Sequence, residues 1–478
     1  MIRPVALGAV LLLGACAAVG PDYERPALDL PGAYADAPAD LPAAAPLPAE
    51  WWKLYGDQRL DELVASALER NADMRFAVAR IEEADANLRE VGAAFLPEID
   101  LAVAPNRSSI SAQTATPVPT SVALVRNNIR VALGTSFELD FWGKLRRAVE
   151  ATRALALGSR YARDVVTLSL AGLTAQAYFS LRSLDAQIAV TVTTLESRNE
   201  ALIFVRNRAR GGIASDLDVN QAELARADAS VQLKDLLRQR WLIEHQLGSL
   251  TGRLDLALAG GELMTLSVPP PPPAGLPSAL LQRRPDVLLA EHQLIAANAQ
   301  IGIARAAMFP TISLNSYYGG ESSALAALFS GGARIWSLGF GMTQPIFDAG
   351  RYAARTQAAE ARQRQFVADY QKAVETAFRE VADALTTLQQ TEALEQDLQL
   401  RAESARNALR LAGLRYAAGY SAYLEVLDAQ RTANDAELAF LRNRQLRLIV
   451  SVDLMKALGG GWPAQPAPVA NAAFGTRD

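Results

Sequence analysis

Asn128-Ile129-Arg130-Val131-Ala132-Leu133-Gly134-Thr135-Ser136-Phe137-Glu138-Leu139-Asp140-Phe141 alternates with a period of two. Ile129, Val131, Leu133, Phe137, Leu139 and Phe141 share one face, with Thr135 the exception. Asn128, Arg130, Ala132, Gly134, Ser136, Glu138 and Asp140 share the other. Period two is the signature of a β-strand, and this one is about twice as long as a typical soluble strand. Its polar face sets Arg130, Glu138 and Asp140 beside a glycine, as the lumen of a membrane barrel does while the apolar face meets lipid. A soluble amphipathic sheet is the alternative. The alternation returns downstream, where Trp336, Leu338, Phe340, Met342 and Ile346 oppose Ile335, Ser337, Gly339, Gly341 and Thr343. A shorter run precedes each long one: Ile99, Leu101 and Val103, then Ile312 and Leu314 leading to Tyr317-Tyr318. With polar or small residues over about 106–124 and 319–333, each pair of runs predicts a β-hairpin.

The hairpins belong to a plan used twice. Phe141-Trp142-Gly143-Lys144 answers Asp348-Ala349-Gly350-Arg351 at an offset of 207, and the turn Gly212–Val219 answers Gly419–Val426 at the same offset. Upstream, Ala93-Ala94-Phe95-Leu96-Pro97 answers Ala306-Ala307-Met308-Phe309-Pro310 at 213, so the copies differ by six residues around the hairpin. A long internal repeat means that one supersecondary unit buries its surface against a second copy. After each hairpin the pattern turns helical, and proline is absent from Gly143 to Val268 and from Ile346 to Trp462. Lys144 to Arg210 would reach on the order of 100 Å as one helix. Gly211-Gly212 should break it, and Ser215-x-x-Asp218 should open a return helix as a capping box; Gly419 marks the equivalent turn. Val165, Leu168, Leu170, Leu173, Ala177, Leu181, Leu184 and Ile188 form the stripe of a packed helix. A plain coiled coil accounts for these helices alone but not for the hairpin before each pair.

Two hairpins give four membrane strands per chain. Four strands cannot close, and an open edge is not tolerated in a bilayer. Closure therefore requires an oligomer, and a trimer supplies an even count of twelve strands, wide enough for a lumen.

The rest of the sequence bounds the function. Over 478 residues, 47 basic side chains meet 51 acidic ones, for a net charge of −4. That is no footprint of a nucleic-acid binder. Cys16 is the sole cysteine, which excludes an intrachain disulfide and a thiol cluster. His245 and His292 each sit in a helical Glu-His-Gln-Leu string and are read as solvated or packed. HExxH, G-x-S-x-G, CxxC and GxxxxGK[ST] are all missing, so neither an enzyme nor a metal or other cofactor is indicated. Residues 1–15 read as a signal peptide, with Arg3 before the apolar stretch Val5–Leu13. Leu13-Gly14-Ala15-Cys16 resembles a bacterial lipobox, making Cys16 the lipidation site; a chance cysteine in an ordinary signal is the alternative. Acyl chains there anchor without spanning, and Ala17 in place of aspartate resembles lipoproteins sent to the outer membrane. The expected organisation is a lipidated extended arm over 16–50, a first repeat over 51–267 and a proline-rich linker over 268–277. A second repeat over 278–460 and a disordered tail over 461–478 complete it.

Five strings together resemble the outer-membrane efflux protein (TolC-like) family, in its NodT-type lipoprotein branch. They are Val19-Gly20-Pro21-Asp22-Tyr23-Glu24-Arg25-Pro26; Trp51-Trp52-Lys53-Leu54-Tyr55-Gly56-Asp57; Glu138–Arg147; Arg283-Arg284-Pro285-Asp286-Val287; and Leu427-Asp428-Ala429-Gln430-Arg431. Tyr55 stands where the family's usual residue is phenylalanine. The resemblance implies an α+β membrane protein: a homotrimer whose 12-stranded outer-membrane barrel continues into a long periplasmic α-helical barrel. It implies the passive exit duct of a tripartite pump, with a periplasmic adaptor (membrane fusion) protein and an inner-membrane transporter of the resistance-nodulation-division (RND) type as partners. It also implies that acidic residues beside the second glycine turn line the periplasmic entrance, which maps onto Glu425 and Asp428. These are three apart, hence on one helical face; the competing reading is that both merely favour a helix N-terminus. Arg431, one turn on, is expected to hold the closed tip by pairing. Asp216 and Asp218 are read as capping residues, and Arg283-Arg284-Pro285-Asp286 as a helix start. The runner-up functions are a type I protein-secretion duct and a non-conducting structural periplasmic lipoprotein.

Overall fold

The computed structural model describes residues 18–31, 34, 47–113, 115, 118–119, 121–271 and 283–461. The signal segment and Cys16, much of the arm, residues 272–277 of the linker and the tail from 462 lie outside the described residues.

Each copy runs helix, strand, strand, long helix, shorter helix. A 3-10 turn Trp51–Tyr55 and helix α1 (Gln58–Arg70) lead into the first copy: α2 (Ala72–Ala93), β1 (Glu98–Ser109), β2 (Val125–Leu139), α3 (Lys144–Arg210) and α4 (Asp216–Leu250). The second is α5 (Pro285–Ala306), β3 (Thr311–Ser322), β4 (Arg334–Thr343), α6 (Arg351–Ala417) and α7 (Tyr423–Ala457). The long helices are both 67 residues and the return helices both 35, in step with the 207 offset. The six-residue difference belongs to the first copy, which has the longer loop (110–124 against 323–333) and the longer second strand.

All four strands join one antiparallel sheet in the order β1-β2-β3-β4, leaving β1 and β4 as edges. The register stacks the apolar residues in rows: Leu101, Leu133, Tyr318 and Trp336 in one, Phe137, Leu314 and Phe340 in another, Leu139, Ile312 and Met342 in a third. Most of these large side chains are exposed. An apolar face this extended marks an interaction surface. All four strands differ in their limits from the sequence expectation. β1 and β3 continue to Ser109 and Ser322, because Asn106 pairs with Asn128 and Gly319 with Ala132 beyond the apolar rows. β2 starts at Val125 and stops at Leu139, short of Phe141. β4 stops at Thr343 short of Ile346, since Pro345 has no N–H to give to a ladder.

By density of contacts the chain forms two compact units, each drawing on both copies. The first comprises Met1–Ala27, Arg80–Ser159 and Ala290–Tyr370; the second comprises Leu28–Ala79, Arg160–Leu289 and Gln371–Asp478. In the first, which holds the sheet, the segment from Val19 to Arg25 is stitched down residue by residue. Val19 N–H donates to Trp142 O at 2.9 Å, and the Asn298 amide donates to Pro21 O at 2.9 Å. Asp22 pairs with Arg147 at 2.7 Å, and Arg25 with Glu291 at 2.7 Å. Gly20 lies against Gly302, where an added Cβ would come within 2.5 Å of the facing Cα. Trp142, at the foot of β2, donates its indole N–H to Pro310 O at 2.8 Å and stacks on Phe309. Asp140 then accepts from the N–H groups of Leu145 and Arg146, capping α3.

The second unit has its core around Trp51, Tyr55, Tyr178, Phe179, Leu181, Leu247 and Leu448. Asp57 caps α1 through the N–H groups of Arg59 and Leu60, and its other oxygen accepts from Tyr178 OH at 2.7 Å. Arg284 ties Asp286, Glu380 and the Ala457 carbonyl together while almost wholly buried. The Arg283–Asp286 string is therefore a helix start, with Pro285 first in α5.

Candidate functional site

The two glycine turns lie together at one end of the second unit. α3 ends at Arg210 and reverses through Gly211 and Gly212; α6 ends at Ala417 and reverses through Gly419. Gly212 and Gly419 have φ of 73° and 80°, the left-handed conformation that ends helices and that glycine adopts without strain. Behind the turns Leu202, Val205, Ala222, Ala412, Tyr423 and Val426 form a small apolar cluster. Tyr416 packs on Tyr423 at 5.2 Å and edge-on to Phe204 at 6.1 Å. Arg208 lies 4.9 Å over the Tyr416 ring and donates to the Tyr416 carbonyl at 3.3 Å, so the end of α3 is fastened to the end of α6. Burial pushes the Tyr423 and Tyr416 phenols above their ordinary values, keeping both neutral at physiological pH.

The copies differ at the start of the return helix. Ser215 and Asp218 form the predicted capping box: Ser215 Oγ accepts from Asp218 N at 3.2 Å, and Asp218 Oδ2 accepts from Ser215 N at 3.0 Å. Asp216 stands in the first turn, and its carbonyl, not its carboxylate, accepts from Asn220. In the second copy Ala422 replaces the serine, and α7 has no side-chain cap. Glu425, equivalent to Asp218, is thereby released from capping and pairs with Arg415 at 3.1 Å. Asp428 pairs with Arg431 at 2.9 Å, one turn along the same helix. All four side chains are exposed, Arg431 by 73%. The sequence reading named Arg431 but assigned it to bonding across the tip; within one chain its partner is Asp428. It missed Arg415, Tyr416, Tyr423 and Arg208. The 207 offset carried a signal for two of them, because it superimposes Arg208 on Arg415 and Ser215 on Ala422.

The histidines stand apart from this site: His245 is exposed on α4, and burial in the first unit lowers the pKa of His292, which stays neutral at pH 7. Among the described residues no group of three His, Cys, Asp or Glu could hold a metal ion, and no helix is long and apolar enough to cross a membrane. What the tip offers chemically is a set of solvent-facing charges on two helix ends.

Residues 63–253 and 276–460 match the family model described as outer membrane efflux protein. Outer membrane protein OprJ of Pseudomonas aeruginosa is 37% identical over 462 residues, covering 96% of this chain and 95% of its own. Cation efflux system protein CusC of Escherichia coli is 34% identical, covering 95% and 97%. The structure of the Neisseria gonorrhoeae MtrE outer membrane channel in its open state superimposes with a TM-score of 0.83 at 32% identity, covering 93% of this chain and 98% of that one.

Proposed function

The chain belongs to the outer membrane efflux protein family, and from that premise we propose that three copies close their sheets into one conducting barrel. It is an outer-membrane efflux component, and its place is the outer membrane. The observation that carries the trimeric barrel is the sheet itself: two unpaired edges, one face of exposed large apolar side chains, and an opposite face of polar and small ones. Lipid satisfies the first face, water the second, and only neighbouring sheets satisfy the edges. The helices of three chains then continue the duct into the periplasm, where it meets an adaptor and an inner-membrane transporter of the RND type. Conductance across a planar bilayer by the purified trimer tests the duct; its absence would favour the structural-lipoprotein reading.

The tip serves as the entrance in this reading. Exposed ion pairs hold together by no more than about 1 kcal/mol, so Arg415 and Arg431 temper the carboxylates of Glu425 and Asp428 without locking them. Threefold symmetry would gather six such carboxylates around one constriction. Glu425→Gln with Asp428→Asn leaves both arginines without their partners, and should turn the channel from cation-preferring toward anion-preferring with trimer yield unchanged. Arg415→Ala with Arg431→Ala should move the reversal potential the other way. Ion preference that ignores both double variants would return Glu425 and Asp428 to helix-start residues.

The lipid anchor gives a separate expectation. Cys16→Ser should abolish incorporation of labelled palmitate and leave the protein held by its strands alone; a wild-type chain that takes up no label would rule out the lipobox.

A further inference from the structure

The polar face of the sheet carries one arrangement used neither by the tip nor by the lipid-facing rows. The guanidinium carbon of Arg130 stands 4.3 Å from the centre of the Tyr317 ring. By register Arg130 is opposite Glu321 and Tyr317 is opposite Gly134, so the arginine runs diagonally across the Ala132–Gly319 pair to reach the ring. That path requires small residues beneath it. A Cβ on Gly319 would lie 2.1 Å from Val131 O, and Ala132 is only 4% exposed. Glu321, the carboxylate across from Arg130, is engaged elsewhere, accepting from the Asn128 amide at 2.9 Å. Among the described residues Arg130 has the Tyr317 face as its partner and no carboxylate on its N–H edge.

The planar guanidinium fork matches the two oxygens of a carboxylate or sulfonate, and the contact with the Tyr317 ring restrains it. Restraining the side chain beforehand lowers the ordering cost of binding. We propose that Arg130, seated on Tyr317, is a binding site for organic carboxylates and sulfonates on the lumen face of the strands. It gives this stretch of the duct a preference opposite in sign to that of the carboxylates at the tip. The proposal rests on the barrel reading, which places this face in the lumen.

The test is a fluorescence titration of detergent-purified trimers with 2-naphthalenesulfonate, using the neutral 2-naphthylmethanol as comparison. Arg130→Gln should weaken sulfonate binding at least tenfold and leave the alcohol unaffected. Arg130→Lys, which keeps the charge and loses the planar fork, should fall between. Tyr317→Leu should weaken it several-fold by freeing the arginine, while the Glu425→Gln, Asp428→Asn double variant should bind as wild type. Sulfonate binding unchanged in Arg130→Gln, or lost equally with the alcohol, overturns the site. Reversal potentials separate the two readings: Arg130→Gln should shift ion preference toward cations, whereas a wild-type trimer that conducts nothing refutes the duct itself.

Discussion

Trp51→Ala should be among the most damaging single changes in the chain, lowering stability by about 3–5 kcal/mol, the usual cost of removing a buried tryptophan. Trp51 is 1% exposed and packs edge-on against Trp52 at 5.7 Å and Tyr55 at 6.4 Å. Tyr55 in turn meets Phe179 at 4.9 Å, and its hydroxyl is 2.7 Å from Ser451 Oγ. The short turn therefore fastens α1, α3 and α7 of the second unit to each other, and truncation leaves a void that rigid helices cannot fill by shifting. Leu54, in the same turn but 43% exposed, is the control: Leu54→Ala should stay within about 0.5 kcal/mol. Thermal unfolding of the purified protein compares the two. Equal midpoints would mean that the turn does not organise this core.

Leu338→Lys and Leu133→Lys should each cost on the order of 2–4 kcal/mol if their face meets the bilayer midplane, and should deplete the heat-resistant trimer. Leu338 is 68% exposed in the single chain, in line with a side chain that awaits lipid. The neighbouring glycines on the opposite face supply the contrast. A Cβ at Gly134 meets nothing within 4 Å, and one at Gly339 meets only Asn315 O at 3.8 Å. Charges at Gly134 or Gly339 should therefore be much milder. Gly319 is the exception on that face, because even Gly319→Ala would press on β2. Semi-native gel electrophoresis of the variants reads the outcome, and equal loss from both faces would argue for a soluble sheet.

What could be read from the sequence was what is set locally. The two hairpins, the 67-residue helices, the glycine reversals and the Ser215–Asp218 box depend on periodicity or on neighbours three and four residues apart, and all are present. Strand ends were less legible, because Asn106–Ser109 joins the ladder through its partners on β2 and not through any apolar pattern of its own. Long-range pairs were not legible at all. Nothing in Asp22 or Arg25 announces Arg147 or Glu291, more than a hundred residues away. At the tip the acidic residues could be found but their arginines could not be assigned, since which carboxylate is free depends on whether a serine or an alanine stands three residues earlier. Arg130 was read only as a polar residue on an alternating strand, and Tyr317 only as the end of an apolar run; the contact between them arises from a register no local signal encodes.

The stitched segment at the start of the described chain has a consequence for direction. Val19 is bonded to Trp142 at the foot of β2, where strand gives way to helix. Cys16 precedes it by three residues, which at full extension span about 10 Å. With the sheet in the membrane as proposed, an acyl group on that cysteine would enter the leaflet bordering the helical side of the sheet. The opposite leaflet, beyond the hairpin loops, is out of its reach. With the proposed acylation and the proposed barrel, lipid and strands would be two marks on one axis, together defining which end of the molecule faces the cell. A barrel inserted backwards would have to pull that leash through the membrane, so the proposed anchor would be a polarity key for assembly as well as an attachment.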